Sequence, residues 1–130
     1  MMLKGMASGM KITKLIRILN DMPHPKQVKN TRKRYKVIAC ALDKKGRVLA
    51  IRTNDYECSH PLQKHFAVLV GKPEAIFLHA EIAALIAAKK EVHKLLIARI
   101  DRNGNPLSAK PCPICQKAIE AFGVKEIEHT

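Results

Sequence analysis

Apolar residues fall on one side of the first predicted helix, which covers residues 11–20. They show the i, i+3, i+4, i+7 spacing of an amphipathic helix, at Ile12, Leu15, Ile16 and Leu19. Pro23 and Pro25 follow shortly afterwards, and proline does not fit the interior of a helix. The pattern therefore predicts a short N-terminal helix that ends before Pro23 and continues into a linker.

Three apolar runs predict strands of a sheet, at residues 35–42, 47–53 and 95–100, and residues 124–129 predict a fourth strand. Asp43-Lys44-Lys45-Gly46 joins the first two as a hairpin turn, and residues 102–106 predict a second turn. Residues 54–78 show little periodicity and are predicted to be a long loop, in which only residues 67–70 favour a short strand or helix. A loop of that length in a compact domain is often functional.

Two further helices are predicted later in the chain. Residues 80–90 are rich in alanine, with Lys89 and Lys90 at the end that favours cations. Residues 113–122 start with Pro113, at the position that proline prefers, and stop at Gly123. The order helix, strand, strand, helix, strand, helix, strand predicts a layered α/β domain with crossover helices.

A length of 130 residues and a hydrophobic fraction of 47% suit a single domain with one core. No apolar run approaches the length of a membrane span, and the first ten residues lack the continuous apolar stretch of a signal peptide. We therefore expect a cytoplasmic protein with no membrane partner. In such a protein a close Cys-x-x-Cys pair favours metal binding or redox chemistry over a disulfide.

Positive charge is concentrated near the N-terminus. The chain carries a net charge of +13, of which residues 1–36 contribute +9 and residues 37–130 contribute +4. Residues 24–36 alone hold six lysines or arginines and no acid. Such a block attracts phosphates, and it is equally typical of a solvated N-terminal arm.

Two short segments carry the candidate chemistry, His79-Ala80-Glu81 and Pro111-Cys112-Pro113-Ile114-Cys115. Zinc takes four tetrahedral ligands, and a catalytic site keeps one position for water. His79, Cys112 and Cys115 supply three ligands, each at or near the start of a predicted helix. The positive end of a helix dipole favours the thiolate form that zinc binds. The segments therefore predict a zinc site with an open position.

Glu81 follows His79 by two residues, so the two side chains diverge on a regular helix. This spacing favours Glu81 as a neighbour of a metal-bound water, whose proton it takes and passes on, over a role as fourth ligand. Isolated His-x-Glu and Cys-x-x-Cys segments are common in proteins without this chemistry. Their combination is much more specific, because a strand separates the two helix starts.

With these motifs in this order, residues 35–129 resemble the cytidine deaminase superfamily of zinc-dependent nucleobase deaminases. The resemblance implies a cytidine deaminase-like layered α/β fold, with a mixed sheet of four or five strands flanked by helices. It implies that His79, Cys112 and Cys115 bind Zn²⁺ and that Glu81 is the catalytic acid and base. Residues 35–130 would be the zinc-dependent deaminase core, and residues 1–34, the N-terminal helix and basic linker, part of the same domain.

The resemblance also implies substrate contacts. Asn54 follows the second strand, where many family members place an asparagine that hydrogen-bonds the substrate, although asparagine is also common in turns. Ala80 and the backbone amide of Cys112 are family positions near the reacting group. Tyr56 and His60 follow Asn54 closely and are predicted to line the pocket, while a loop histidine is often merely exposed.

Two departures from the family bear on the substrate. The family core has a fifth strand after the fourth, so we expect either that this strand is missing before Thr130 or that the N-terminal helix covers its place. The histidine ligand differs from the third cysteine of free-cytidine deaminases and resembles deoxycytidylate, tRNA adenosine, guanine and polynucleotide cytidine deaminases. The predicted reaction is therefore deamination of cytosine to uracil in a phosphate-bearing substrate, a nucleotide such as dCMP or single-stranded nucleic acid.

Several alternatives stay open. In one alternative, the base that is deaminated is adenine or guanine instead of cytosine. In another, the zinc is structural in a nucleic-acid-binding module, and its fourth ligand comes from His60, His65 or His93. Base stacking is a weak guide to polymer binding, because Phe77 and Phe122 are predicted as core. Only Tyr35, Tyr56 and Phe66 are then left to stack on bases. An exposed sheet edge favours self-association, so a homo-oligomer is also among the expected partners.

Overall fold

The structure is a computed structural model that describes residues 10–30 and 33–130. Residues 1–9, which entered the signal-peptide prediction, and Thr31 and Arg32 of the basic block lie outside the described residues. The first helix, α1, covers Ile12–Asn20 and buries Leu15 and Leu19. Its bounds agree with the prediction to within one residue, because the apolar stripe and the following prolines both mark them.

Within residues 10–30 and 33–130 the sheet has five strands, which are β1 Lys36–Leu42, β2 Val48–Thr53, β3 Lys94–Ile100, β4 Pro106–Leu107 and β5 Glu126–His129. β1 is central, antiparallel to β2 on one side and to β3 on the other. The second edge of β3 pairs antiparallel with β4 near Ile100 and parallel with β5 from Lys94 onward. The predicted mixed sheet is therefore confirmed.

The two strands that share the second edge of β3 differ most from the prediction. β4 has only two residues and lies where the turn was predicted to end, too short to leave a pattern in the sequence. β5 begins at Glu126, two residues later than predicted. The side chain of Thr130 fastens this edge, since its hydroxyl donates to the carbonyl of Leu107 at 2.6 Å.

Helix α1 covers one face of the sheet. Leu15 and Leu19 pack with the side chains that β1 and β3 direct to that face, which are Ile38, Cys40, Leu42, Leu96, Ala98 and Ile100. The expectation that this helix covers the place of a missing strand is wrong, because its contacts are with the two strands β1 and β3. The apolar stripe finds its partner on the face of the sheet and not at its edge.

The described part of the chain contains three further helices, α2 Pro61–Leu69, α3 Ala80–Ala88 and α4 Pro113–Ala121. α3 packs on β1 and β2, and the second core cluster joins it to alternate residues of the strands such as Ala39, Ala41 and Ile97. Seven of the nine α3 residues are buried, so this helix lies in the interior between the sheet and α4. No helix in the described part of the chain is long and apolar enough to cross a membrane.

Helix α2 corrects the prediction of a long loop over residues 54–78. Pro61 occupies the first turn, and His60 caps the helix because its Nδ1 accepts a hydrogen bond from the backbone N–H of Leu62 at 3.0 Å. The buried face consists of Gln63, Phe66 and Ala67. Its spacing is helical, but the polar Gln63 interrupts the apolar pattern from which a helix is predicted.

Candidate active site

The three predicted zinc ligands come together where two helices begin. His79 is the N-cap residue of α3, Cys112 is the N-cap residue of α4, and Cys115 lies in the first turn of α4. His79 Nδ1 lies 3.2 Å from Cys115 Sγ and 3.6 Å from Cys112 Sγ. The proline at the start of α4 fixes the first turn and brings both thiols to the same side.

This geometry fits a zinc ion. Tetrahedral zinc with bonds of about 2.0 to 2.3 Å separates its nitrogen and sulfur ligands by about 3.5 Å. The three ligand atoms all lie within 4.8 Å of one another. Among the described residues no fourth histidine, cysteine, aspartate or glutamate joins this group. Three protein ligands with one position left open are typical of a catalytic zinc site.

The alternative ligands for a closed zinc site lie in other surroundings. His60 caps α2, and the ring of His65 packs edge-on against Phe66. His93 Nε2 lies 3.8 Å from a carboxylate oxygen of Glu126. The structural-zinc alternative therefore lacks its fourth ligand within the part of the chain that the structure describes.

The two thiols differ sharply in acidity. A hydrogen bond from Cys115, together with one involving His79, lowers the pKa of Cys112 to about 4 despite its burial. The hydrogen bond to Cys112 and burial raise the pKa of Cys115 well above its usual value. The lowered pKa of Cys112 favours its thiolate form, which is the form that binds metal, and metal binding to a thiol that is still protonated releases its proton.

Glu81 lies in the first turn of α3 and is 7% exposed. Burial raises the pKa of its carboxyl group, partly offset by hydrogen bonding and by the charge of His79. Its carboxyl group is not among the clustered ligand atoms. A buried carboxyl group beside an open zinc position is suited to accept and return a proton.

A cavity of about 500 Å³ reaches this cluster, and His79, Glu81 and Cys112 form part of its wall. That volume is within the range of small-molecule sites in proteins. Three cationic side chains also line it, those of Lys33, Arg99 and Lys110. The cavity therefore joins a candidate metal centre and a buried carboxyl group to a positively charged wall.

Comparison with known families tests the predicted resemblance. The sequence profile of the family described as the cytidine and deoxycytidylate deaminase zinc-binding region matches residues 16–129. The chain belongs to this family. Comparison with curated proteins gives no match. The predicted resemblance is confirmed, and the match also takes in most of α1, which the motifs alone did not reach.

Membership of this deaminase family also confirms the predicted Zn²⁺ cofactor, because the matched region is the zinc-binding region of the family and the ligand group is assembled. The family and the assembled ligand group also support zinc-dependent deamination as the general reaction. The roles predicted for individual residues of the deaminase remain predictions, and the structure gives their positions.

Asn54 and Tyr56 both line the cavity, and both also hold the start of β1. Asn54 accepts a hydrogen bond from the backbone N–H of Val37 at 3.0 Å and donates one to the carbonyl of Tyr35 at 3.2 Å. The Tyr56 hydroxyl accepts from Tyr35 N at 3.0 Å and donates to Tyr35 O at 3.1 Å. Asn54 Nδ2 retains a second N–H for a substrate, since an amide carries two donors.

The other two predicted substrate contacts, Ala80 and His60, differ in their position relative to the cavity. Ala80 is fully buried and lines the cavity next to His79 and Glu81, where a larger side chain would reduce the space for a base. His60 is not among the residues that line the cavity, and its Nδ1 is engaged in capping α2. The structure therefore brings Asn54, Tyr56 and Ala80 to the deaminase cavity and leaves His60 outside it.

Gln63 is a residue of the site that the sequence motifs do not indicate. Its side chain is fully buried, and its Oε1 accepts a hydrogen bond from the backbone N–H of His79 at 3.1 Å. Its Nε2 is buried without a hydrogen-bond partner among the described residues. Gln63 therefore positions the N-cap residue of α3, and only a polar residue on the buried side of a helical pattern hinted at it.

Substitution of Gln63 is expected to weaken zinc binding. Groups that orient a metal ligand typically account for a factor of 10 to 100 in affinity, and because Gln63 holds only the backbone of His79, we expect Gln63→Met to cost about 10-fold. A chelator competition titration on the purified protein measures this affinity. Gln116→Met, on the exposed side of α4, is the matched control, and equal affinities of the two variants would contradict a positioning role.

Proposed function

We propose that the protein catalyses the zinc-dependent hydrolytic deamination of cytosine to uracil in a phosphate-bearing substrate. The observation that carries the proposal is a cavity with Glu81 and two of the three zinc ligands, His79 and Cys112, in its wall and cationic side chains beside them. Its family, named for cytidine and deoxycytidylate deaminases, supports cytosine as the base. The position of Glu81 also favours catalysis over a purely structural zinc.

The residues of the cavity divide the reaction between them. His79, Cys112 and Cys115 would hold the zinc, which supplies a water of lowered pKa as the nucleophile when it is bound. The Glu81 carboxylate takes the two protons of the attacking water in turn and passes one to the ring nitrogen and one to the exocyclic amine, which leaves as ammonia. Water is consumed, cytosine becomes uracil, and the carboxylate ends in the state in which it began.

The cationic side chains in the cavity wall support a substrate that carries a phosphate. Lys33 and Lys110 form no ion pair among the described residues. Arg99 lies 4.5 Å from the centre of the Tyr35 ring and donates to the carbonyl of Ser108, so its guanidinium is held in place. Unpaired cations beside a cavity attract anionic substrates and raise their local concentration.

The phosphate requirement is tested by a substrate panel with ammonia release as the readout. We expect kcat/KM to rise about 10-fold or more from cytidine to CMP and from deoxycytidine to dCMP, because one charge-assisted hydrogen bond contributes about 1.5 to 3 kcal/mol. Lys110→Gln should reduce this gain, whereas Lys44→Gln, in the distant β1–β2 turn, should not.

Three results would contradict the proposal. Equal kcat/KM for nucleosides and nucleotides would show that the protein does not recognise a phosphate on the substrate. Ammonia release from adenine or guanine nucleotides in place of cytosine would change the base. If the zinc-loaded protein deaminates no nucleobase in the panel, the proposed enzymatic function is wrong.

A further inference from the structure

The aromatic side chains of this chain are concentrated at the cavity. Only five residues are Tyr, Phe or Trp, and Tyr35, Tyr56 and Phe77 all line it. Phe66 is instead 5% exposed and belongs to the core, which corrects its prediction as a stacking residue. Phe77 was predicted as core and is 47% exposed. A large exposed ring at the wall of a cavity, unlike one isolated on a surface, indicates a binding contact.

The backbone that carries Phe77 is fixed on both sides. Phe77 forms an antiparallel bridge with Ser59, and the neighbouring Leu78 donates to the carbonyl of Cys58 at 2.9 Å. The carbonyl of Leu78 in turn accepts from the backbone N–H of Asp55 at 2.9 Å. The ring is therefore presented from an ordered segment, so little backbone entropy is lost when a ligand stacks on it.

Phe77 also differs from the two tyrosines in having a free face. The guanidinium of Arg99 lies over the Tyr35 ring, and that of Arg34 lies 4.9 Å from the centre of the Tyr56 ring. Among the described residues Phe77 has neither an aromatic nor a cationic partner. The tyrosines are therefore committed within the protein, whereas the Phe77 ring is available to a planar ligand.

The charges around these rings are almost all positive. Lys33, Arg99 and Lys110 line the cavity, and Arg34 adjoins it through Tyr56. The exposed carboxylate in the wall, that of Asp55, accepts hydrogen bonds from the backbone N–H groups of Glu57 and Cys58. Aromatic rings interleaved with cations are the usual surface for single-stranded nucleic acid, because bases stack and phosphates pair with the cations.

We propose that the substrate is a single-stranded nucleic acid, whose target base enters the cavity while a neighbouring base stacks on Phe77. Lys33 and Lys110 then contact the backbone phosphates on either side of the target. The inference rests on the proposed function and narrows it from any phosphate-bearing substrate to a polymer. A mononucleotide supplies only the base that has to reach Glu81, whereas a polymer supplies a further base for the Phe77 ring.

The deciding measurement is the ratio of kcat/KM for a short cytosine-containing oligonucleotide to that for the mononucleotide, in the DNA and the RNA series. For the zinc-loaded wild-type chain we expect a ratio well above one. Phe77→Ala should lower this ratio by about 5- to 150-fold, the range expected for loss of one base–aromatic stack. Phe77→Tyr, which keeps the ring, should restore it.

Phe122→Ala is the matched control, because Phe122 is also partly exposed, at 37%, but lies at the end of α4 away from the cavity lining. The inference is overturned if the mononucleotide is the better substrate, or if Phe77→Ala and Phe122→Ala leave the same ratio. Either result leaves the proposed function intact, since both require ammonia release from a nucleotide.

A binding titration tests the phosphate contacts without turnover. With Glu81→Gln as the background, the slope of log K against log salt for a single-stranded oligonucleotide should become shallower by about 0.7 for each cation removed. Lys33→Gln and Lys110→Gln should each show this change, and Lys44→Gln should not. An unchanged slope in both cavity variants would overturn the assigned contacts.

Discussion

Replacement of Glu81 by glutamine is expected to lower kcat for deamination by about 10²- to 10⁴-fold, the usual contribution of general acid–base catalysis. The amide keeps the shape of the buried side chain but cannot accept the proton of the attacking water. Zinc content should be unchanged, because the Glu81 carboxyl group is not one of the clustered ligand atoms. Ammonia release and metal analysis of the same purified sample measure both quantities.

Two control measurements distinguish this catalytic role from a general loss of structure. Glu120→Gln, on the exposed side of α4, makes the same chemical change away from the cavity and should keep full activity. The midpoint of thermal unfolding of Glu81→Gln should stay close to that of the wild type. Undiminished activity would show that another group moves the proton, and lost zinc would show that Glu81 is itself a ligand.

Much of this site could be predicted because its signals are local in the sequence. His79 and Glu81 lie within three consecutive residues, and Cys112 and Cys115 are separated by one helical turn whose start is marked by Pro113. A helix start fixes the direction of its first side chains, so short motifs carry most of their own geometry. Only the meeting of the two helix starts required the complete fold.

The residues that escaped prediction depend on contacts far apart in the chain. Gln63 reaches His79 only because α2 packs beside α4, which in turn packs on α3, and a lone glutamine in a region without clear periodicity gives no such signal. The exposure of Phe77 follows from its bridge to Ser59, which pairs two segments that have no strand pattern. Hydrophobic character alone predicted burial for this ring and missed its place at the cavity.

The strands of the fold likewise include some that could be predicted from the sequence and some that could not. Central strands β1 and β3 were predicted within one residue, because both of their faces are covered and nearly every side chain in them is apolar. The second edge of β3 is divided between β4 and β5, whose residues are mostly exposed. Where burial does not select the side chains, register is specified by backbone pairing that the sequence scarcely records.

Removal of one thiolate should abolish zinc binding and lower stability together. The metal would join the first turns of α3 and α4, whose starts are brought to within 3.6 Å at His79 Nδ1 and Cys112 Sγ. A ligand at 1,000 times its dissociation constant stabilises the folded state by about 4 kcal/mol, which corresponds to roughly 10 °C or more in the midpoint of unfolding for a domain of this size. We expect Cys112→Ser to lose this increment, to contain no zinc and to be inactive.

Cys58→Ser provides the matched control for this prediction, since Cys58 is an exposed cysteine outside the ligand group. Addition of a chelator should lower the unfolding midpoint of the wild type and of Cys58→Ser and leave that of Cys112→Ser unchanged. If the Cys112 variant keeps one zinc per chain with an unaltered midpoint, the metal is held by other residues. Because the chelator acts on the metal and the substitution on the protein, agreement between the two isolates the contribution of the zinc centre.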